Sequence, residues 1–294
     1  MPPQIVVALL DERQEYHRMQ AAEARAAAAR AGLSLEVVFA ESNAVLQIHQ
    51  VFKHVHAAEG ERPLAIVVQS VTGEGLARVA RNAVAAGVGW IILNRRVDYV
   101  SVLRGQRPDL PIGGVTPDQE EIGRIHARQV RTLGPKQGLL LYVQGPPDTS
   151  AAQDRLRATR EGLAGAPFRF KVVNGDWSEA SGESAVAGWL RLTTSERPAL
   201  LVAQNDAMAT GARRAVLAHD RSWAGIPFLG CDGLPQGGQR LVDSGELAAT
   251  VVMPATAGTA VELIARWQRD RQPPPEEVVL APRSFPPEDR LRLR

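Results

Sequence analysis

The sequence predicts an α/β protein built of two doubly wound parallel-sheet domains. Three observations predict it. Short, wholly apolar runs alternate with longer amphipathic segments along the chain. The alternation breaks once, over 96–117, where prolines at 108, 111 and 117 mix with glycines at 105, 113 and 114, and then resumes on the same plan. The length, 294 residues, exceeds one average domain. Strands that are apolar throughout belong to a sheet buried on both faces, which is a parallel sheet covered by helices. The two halves share an architecture but no fixed short period, so a solenoid is excluded.

Each element has its own signal. Ile5–Leu10 is the first strand, and an Ala-rich helix runs from His17 to Ala31 with Gly32 placed to end it in a left-handed conformation. Leu35–Phe39 reads as a strand, Ala44–His56 as a helix, Ala65–Gln69 as a strand and Gly75–Ala86 as a helix, with Gly87 after it. Gly89–Leu93 is the fourth strand, and Arg96–Pro117 reads as an irregular crossing segment. The second half gives helices at Glu120–Leu133, Ala151–Leu163, Ser181–Leu192 and Ala207–His219. Between them lie strands at Gly138–Gln144, Phe168–Val173, Ala199–Ala203 and Pro227–Gly230. A helix near Gln236–Val242, a strand at Leu247–Val252 and a helix at Thr256–Arg269 follow. A proline cluster at 273–275 precedes a last strand, Val278–Leu280, and a polar tail.

Composition removes several function classes. A hydrophobic fraction of 45% and a charged fraction of 22% describe an ordinary globular chain with a sizeable core. A formal charge of +2 argues against a nucleic-acid partner held by bulk electrostatics. Only Lys53, Lys136 and Lys171 among the 34 basic residues are lysines, a compositional bias before it is a functional one. The one cysteine, Cys231, excludes an internal disulfide and a cysteine-based zinc site. No apolar run approaches the ~20 residues of a membrane span, so direct membrane insertion is not expected.

In doubly wound sheets ligands bind beyond the carboxyl ends of the strands. The residues expected there are Asp11, Gln14, Tyr16 and His17 after the first strand, Gln69 and Ser70 after the third, and Asn94, Arg95 and Arg96 after the fourth. In the second half they are Gln144, Asp148, Thr149 and Ser150, then Asp176 and Trp177, then Gln204, Asn205 and Asp206, and finally Asp232. Taken singly, a loop Asn or Asp is by default a cap or turn residue, and a lone Trp is packing. The weight lies in recurrence: amides, carboxylates, guanidinium groups and aromatics at successive strand ends suit a polyol, whose vicinal hydroxyls take planar bidentate partners.

Catalytic readings have less behind them. No G-x-G-x-x-G follows a strand, and Gly145-Pro146-Pro147-Asp148-Thr149-Ser150 lacks the backbone N–H donors of a phosphate cradle. His54 and His56 lie two apart on a helix and so point to different faces. No nucleophile–histidine pair accompanies the strand-end carboxylates, and Cys231 has no histidine beside it in sequence. No catalytic residue, metal ligand or cofactor is expected.

Four ordered segments then resemble one family. Gln144-Gly-Pro-Pro-Asp-Thr-Ser-Ala-Ala-Gln-Asp-Arg155, Ala203-Gln-Asn-Asp-Ala-Met-Ala209, Gly230-Cys-Asp-Gly-Leu-Pro-Gln-Gly237 and Gly245-Glu-Leu-Ala-Ala-Thr-Val251 resemble the motifs of sugar-type solute-binding proteins. The chain is similar to the ribose-binding group of type I periplasmic binding proteins, whose core the lactose-repressor family shares. The resemblance implies the type I periplasmic-binding-protein fold, two lobes joined by hinge crossovers. It divides the chain into an N-terminal lobe of residues 1–116 plus 254–273 and a C-terminal lobe of 117–253 plus 274–294.

The resemblance also implies a ligand set: Gln14, Tyr16, His17, Gln69, Asn94 and Arg95 from the first lobe, and Arg155, Trp177, Asn205, Asp232 and Met253 from the second. Asn94 stands where the family has aspartate, and His17 where it has an aromatic. The polar position after Thr-Val falls on Val252 or Met253, depending on where a one-residue gap is placed. These departures leave room for a sugar, a polyol or a sugar acid. The implied function is non-catalytic binding in the cleft between the lobes with hinge closure, read by a transport permease, as in an ABC transporter, or by a sensor protein. The alternatives are an effector-binding regulator subunit without a DNA-binding domain and an enzyme on a similar scaffold. As the sequence stands it shows no signal peptide, which predicts a cytoplasmic chain, or a periplasmic one if the chain is a processed form.

Overall fold

A computed structural model describes residues 4–72, 75–192 and 196–292. The elements run, in chain order, β1 Gln4–Leu9, α1 Glu15–Ala31, β2 Ser34–Phe39, α2 Ala44–Val55, β3 Ala65–Val68, α3 Ala77–Ala85, β4 Gly89–Leu93, α4 Tyr99–Gln106, β5 Ile112–Pro117 and α5 Gln119–Leu133. They continue as β6 Gly138–Gln144, α6 Ser150–Gly162, β7 Phe168–Asn174, α7 Glu179–Leu192, β8 Leu200–Ala203, α8 Asp206–His219, β9 Phe228–Asp232 and α9 Arg240–Asp243. The last are β10 Ala249–Val252, α10 Thr256–Asp270, β11 Glu277–Leu280 and β12 Arg283–Phe285.

These elements form two compact units. The first comprises 1–117 and 254–280, the second 118–253 and 281–294. The first carries a six-stranded sheet in the order β11-β5-β4-β3-β1-β2, all of its pairs parallel. The second carries β12-β10-β9-β8-β6-β7, parallel except where β12 runs against β10. Each sheet is thus a doubly wound βα series whose edge is completed by a strand from the C-terminal stretch.

Strand composition explains why both faces are covered. In β4, Trp90 and Ile92 join one core cluster while Ile91 and Leu93 join the cluster on the opposite face. In β6, Leu139, Leu141 and Val143 pack on one face and Leu140 and Tyr142 on the other. Because side chains alternate across a strand, an all-apolar strand needs helices on both sides, and each large aliphatic side chain buried this way contributes about 1.5–3 kcal/mol. α1 ends as its sequence requires, with Gly32 at φ 68° donating its N–H to Ala28 and Ala29.

The structure corrects the reading of 96–117 as irregular, since α4 and β5 lie inside it. The glycines that suggested a loop have another cause. A Cβ on Gly113 would stand 2.7 Å from the Pro275 carbonyl oxygen, so Gly113 is required by the close passage of the segment that leads into β11. The stretch from 274 onward, assigned from sequence to the C-terminal lobe, divides: β11 pairs with β5 in the first sheet, Glu277 opposite Gly114. The polar tail contains a further strand, β12, which pairs antiparallel to β10. Among the described residues no helix is long and apolar enough to cross a membrane.

Candidate functional site

In the first unit, the residues after β1, β3 and β4 form a buried polar network. Asn94 follows β4 in a left-handed conformation, φ 64°, which aims its side chain differently from a continuing strand. Its Oδ1 accepts from Thr256 Oγ1 at 2.8 Å and from the Tyr16 hydroxyl at 3.3 Å. Gln20, one turn after Tyr16, donates to that hydroxyl at 2.5 Å and to Thr256 Oγ1 at 3.0 Å. Its Oε1 accepts from the N–H groups of Thr256 and Ala257 at 3.0 and 2.8 Å, filling two donors that the first turn of α10 would leave bare. Neither Gln20 nor Thr256 was expected from sequence. The signal for Gln20 was a lone polar residue on the buried stripe of an Ala-rich helix.

His17 is buried beside Tyr16, the two rings edge to face with centroids 5.8 Å apart. Its Nδ1 lies 3.1 Å from the Asp11 carbonyl oxygen. Burial pushes the imidazole pKa down to about 4, against the Asp11 carbonyl and with the help of the Arg95 charge, so the ring is neutral. Asp11 is engaged by Arg13, whose Nη2 donates at 2.7 Å, and this guanidinium holds its carboxyl below the usual range. Arg95 and Gln69 are buried. The Gln69 carbonyl accepts from Gln47 at 2.8 Å, while its buried Oε1 has no protein partner. Gln14 is half-buried at the entry to α1 and makes no side-chain cap, and Arg96 is exposed.

In the second unit, Arg155 of α6 is 3% exposed and distributes its donors over three acceptors. Its Nε donates to Gln119 Oε1 at 2.7 Å, Nη1 to the Gln204 carbonyl at 2.6 Å and Nη2 to Met253 Sδ at 3.0 Å. All three acceptors are neutral. The guanidinium also stands over the Trp177 ring, 5.6 Å from its centroid, a cation–π distance. Trp177 has φ 75°, and the close passage of Gly145 requires glycine, because a Cβ there would sit 2.3 Å from the indole. Asn205 caps α8 through Oδ1, which accepts from Met208 N at 2.8 Å, and its Nδ2 donates to the Trp177 carbonyl at 2.8 Å. Asp232 is half-buried with φ 115°, and its carbonyl accepts from Met253 N at 3.1 Å.

The structure therefore gathers Tyr16, His17, Asn94 and Arg95 at one strand-end cluster, and Arg155, Trp177, Asn205, Asp232 and Met253 at another. Three of these residues, Asn94, Trp177 and Asp232, hold positive φ. Backbone conformations that side chains disfavour persist where the surroundings over-determine them. Sequence reasoning also missed His126 of α5, whose Nε2 lies 2.9 Å from the Gly230 carbonyl and whose pKa burial pushes down to about 4. Cys231 is fully buried, and burial pushes its thiol up to about 12. His54 and His56 do not meet: His54 lies 3.8 Å from Glu36, and His56 stacks on Phe52. Among the described residues no three His, Cys, Asp or Glu side chains cluster as a metal site.

Known proteins resemble this chain in sequence and in fold. The D-galactose/methyl-galactoside binding periplasmic protein MglB of Haemophilus influenzae is 30% identical over 122 residues, 40% of this chain. That alignment spans only 36% of the relative's length. The galactofuranose-binding protein YtfQ of Escherichia coli is 24% identical over 253 residues, 84% of this chain and 76% of that protein. Among solved structures, a galactofuranose binding protein superimposes with a TM-score of 0.81 at 20% identity, covering 96% of this chain and 94% of the other. A Caulobacter myo-inositol binding protein, crystallised with myo-inositol, gives 0.79 at 22% identity over 96% and 92%. At such identities these structures establish the fold. Residues 5–266 match the family described as "Periplasmic binding protein domain", so by most of its length this chain belongs to that family.

Proposed function

We propose that this protein binds a small sugar or polyol without transforming it, and that each unit presents a set of groups suited to such a ligand: Tyr16, His17, Gln69, Asn94 and Arg95 in the first, and Arg155, Trp177, Asn205, Asp232 and Met253 in the second. One observation carries the reading: each unit buries an arginine, Arg95 just after β4 and Arg155 in α6, and also carries buried amide and aromatic side chains near the carboxyl ends of its parallel strands. A planar guanidinium donates to two adjacent hydroxyl oxygens, a carboxylate such as Asp232 accepts from the same hydroxyls, and an indole or phenol covers the C–H face of a ring. Relatives named for binding galactose, galactofuranose and myo-inositol support this ligand class.

Binding of this kind serves uptake through an ABC transporter or presentation to a sensor, and the liganded state is what the partner reads. The family's name points to the periplasm. Calorimetric titration with neutral pentoses, hexoses, polyols and sugar acids tests the ligand class. Saturable 1:1 binding of a neutral sugar or polyol, recovered unchanged after heat denaturation, is the expected result. Conversion of the ligand, or binding confined to sugar acids, would overturn the proposal. N94A and R155A are each expected to weaken binding.

A further inference from the structure

Asp206, the first residue of α8, was expected only as a strand-end residue, yet two of the other sequence motifs converge on its carboxylate. Its Oδ1 accepts from Thr250 Oγ1 at 2.6 Å, and its Oδ2 accepts from the Gly233 N–H at 2.8 Å. The fit is close: a Cβ on Gly230 would stand 2.1 Å from Oδ1, and one on Gly238 would stand 2.1 Å from Oδ2. The two glycines are there to admit the carboxylate. It is buried at the N-terminal end of a helix, where the helix dipole favours negative charge.

The residue between these contacts is Asp232. Its φ of 115° lies where a side chain is strained, so its backbone must be held from both sides. Before it, Cys231 pairs in register with Val251 of β10. After it, the Gly233 N–H is fixed by Asp206, and the Gly233 α-carbon packs so tightly that a Cβ would lie 2.6 Å from the Val252 α-carbon. The Asp232 carbonyl is occupied by Met253 N. We infer that Asp206 is a positioning residue: through the Gly233 N–H it sets the left-handed turn that aims the Asp232 carboxylate at the ligand. The inference rests on the reading of Asp232 as a ligand-binding group.

A double-variant cycle tests it. D206A, D232A and D206A/D232A are titrated with whichever of D-galactose, L-arabinose, D-allose and myo-inositol the unsubstituted protein binds tightest. D206A is expected to weaken binding tenfold or more in the intact protein and less than twofold when Asp232 is already absent. Equal losses in both backgrounds, or no loss at all, would overturn the inference, since a merely structural carboxylate does not care whether Asp232 is present. If D206A does not unfold cooperatively, D206N, which keeps the volume, replaces it in the same cycle. Amide exchange without ligand separates the clamp from the ligand reading. At least tenfold faster exchange at Gly233, with Leu140–Val143 unchanged, is expected. Unchanged exchange at Gly233, or acceleration spread equally over β6, sinks the clamp. If none of the four compounds binds, the cycle is run with the tightest ligand from the wider titration, and exchange decides the clamp in either case.

Discussion

The Nη2 of Arg155 donates to the sulfur of Met253 at 3.0 Å, so the buried guanidinium is steered on one side by a thioether, a weak acceptor. Its stronger ties are to Gln119 and the Gln204 carbonyl. R155A strands both of these acceptors, and a destabilisation of about 1–3 kcal/mol is expected from thermal unfolding. Sugar binding by R155A should fall at least tenfold. M253L, which keeps the volume and removes the sulfur, should cost less than about 1.5 kcal/mol in stability. Wild-type melting of R155A would contradict the assigned hydrogen bonds.

Acid should destabilise the protein through two histidines. His17 and His126 both have folded pKa values near 4, pushed down first by burial, against 6.5 for an ordinary imidazole. A base whose folded pKa is depressed binds fewer protons in the native state. Its stabilising contribution is therefore complete above about pH 6.5 and is lost as pH falls through 4. Each shift corresponds to roughly 3 kcal/mol at its limit. Denaturant titrations at pH 7.5, 6 and 5 should show stability falling with pH, and H126Q should flatten the slope. An unchanged slope in H126Q would remove His126 from this account.

Q20A should expose how the first unit's polar network is held. The substitution removes the acceptor from two N–H groups of α10 and the donor to Tyr16, an expected loss of about 1–3 kcal/mol. Because Tyr16 and Thr256 both reach Asn94, ligand affinity should fall along with stability. Denaturant midpoints and calorimetry check the two effects separately. A Q20A protein of full stability would show that water replaces the amide.

G145A should act on Trp177. The added methyl carbon would stand 2.3 Å from the indole, so the ring must move. Overpacking of this kind typically costs about 1–3 kcal/mol. A change in tryptophan fluorescence and weaker ligand binding are expected, and the difference spectrum should vanish in W177F.

The class of fold, the alternation of strands and helices and the strand-end positions of Asn94, Arg95, Trp177, Asn205 and Asp232 were legible in the sequence alone. These are properties of short range: apolar periodicity sets burial, and a strand that ends in polar residues must end at a sheet's carboxyl edge. Pairing across distance came from the tertiary fold. Gln20 meets Thr256 from 236 residues away, and nothing local to either residue says so. Gly113 looks like a loop residue until the segment leading into β11 is seen to lie against it, and Asp206 looks like an ordinary first-turn carboxylate until Gly230, Gly233, Gly238 and Thr250 close around it. A glycine required by close approach and a glycine required by a turn read alike in one dimension. They part only when the neighbouring backbone is in place.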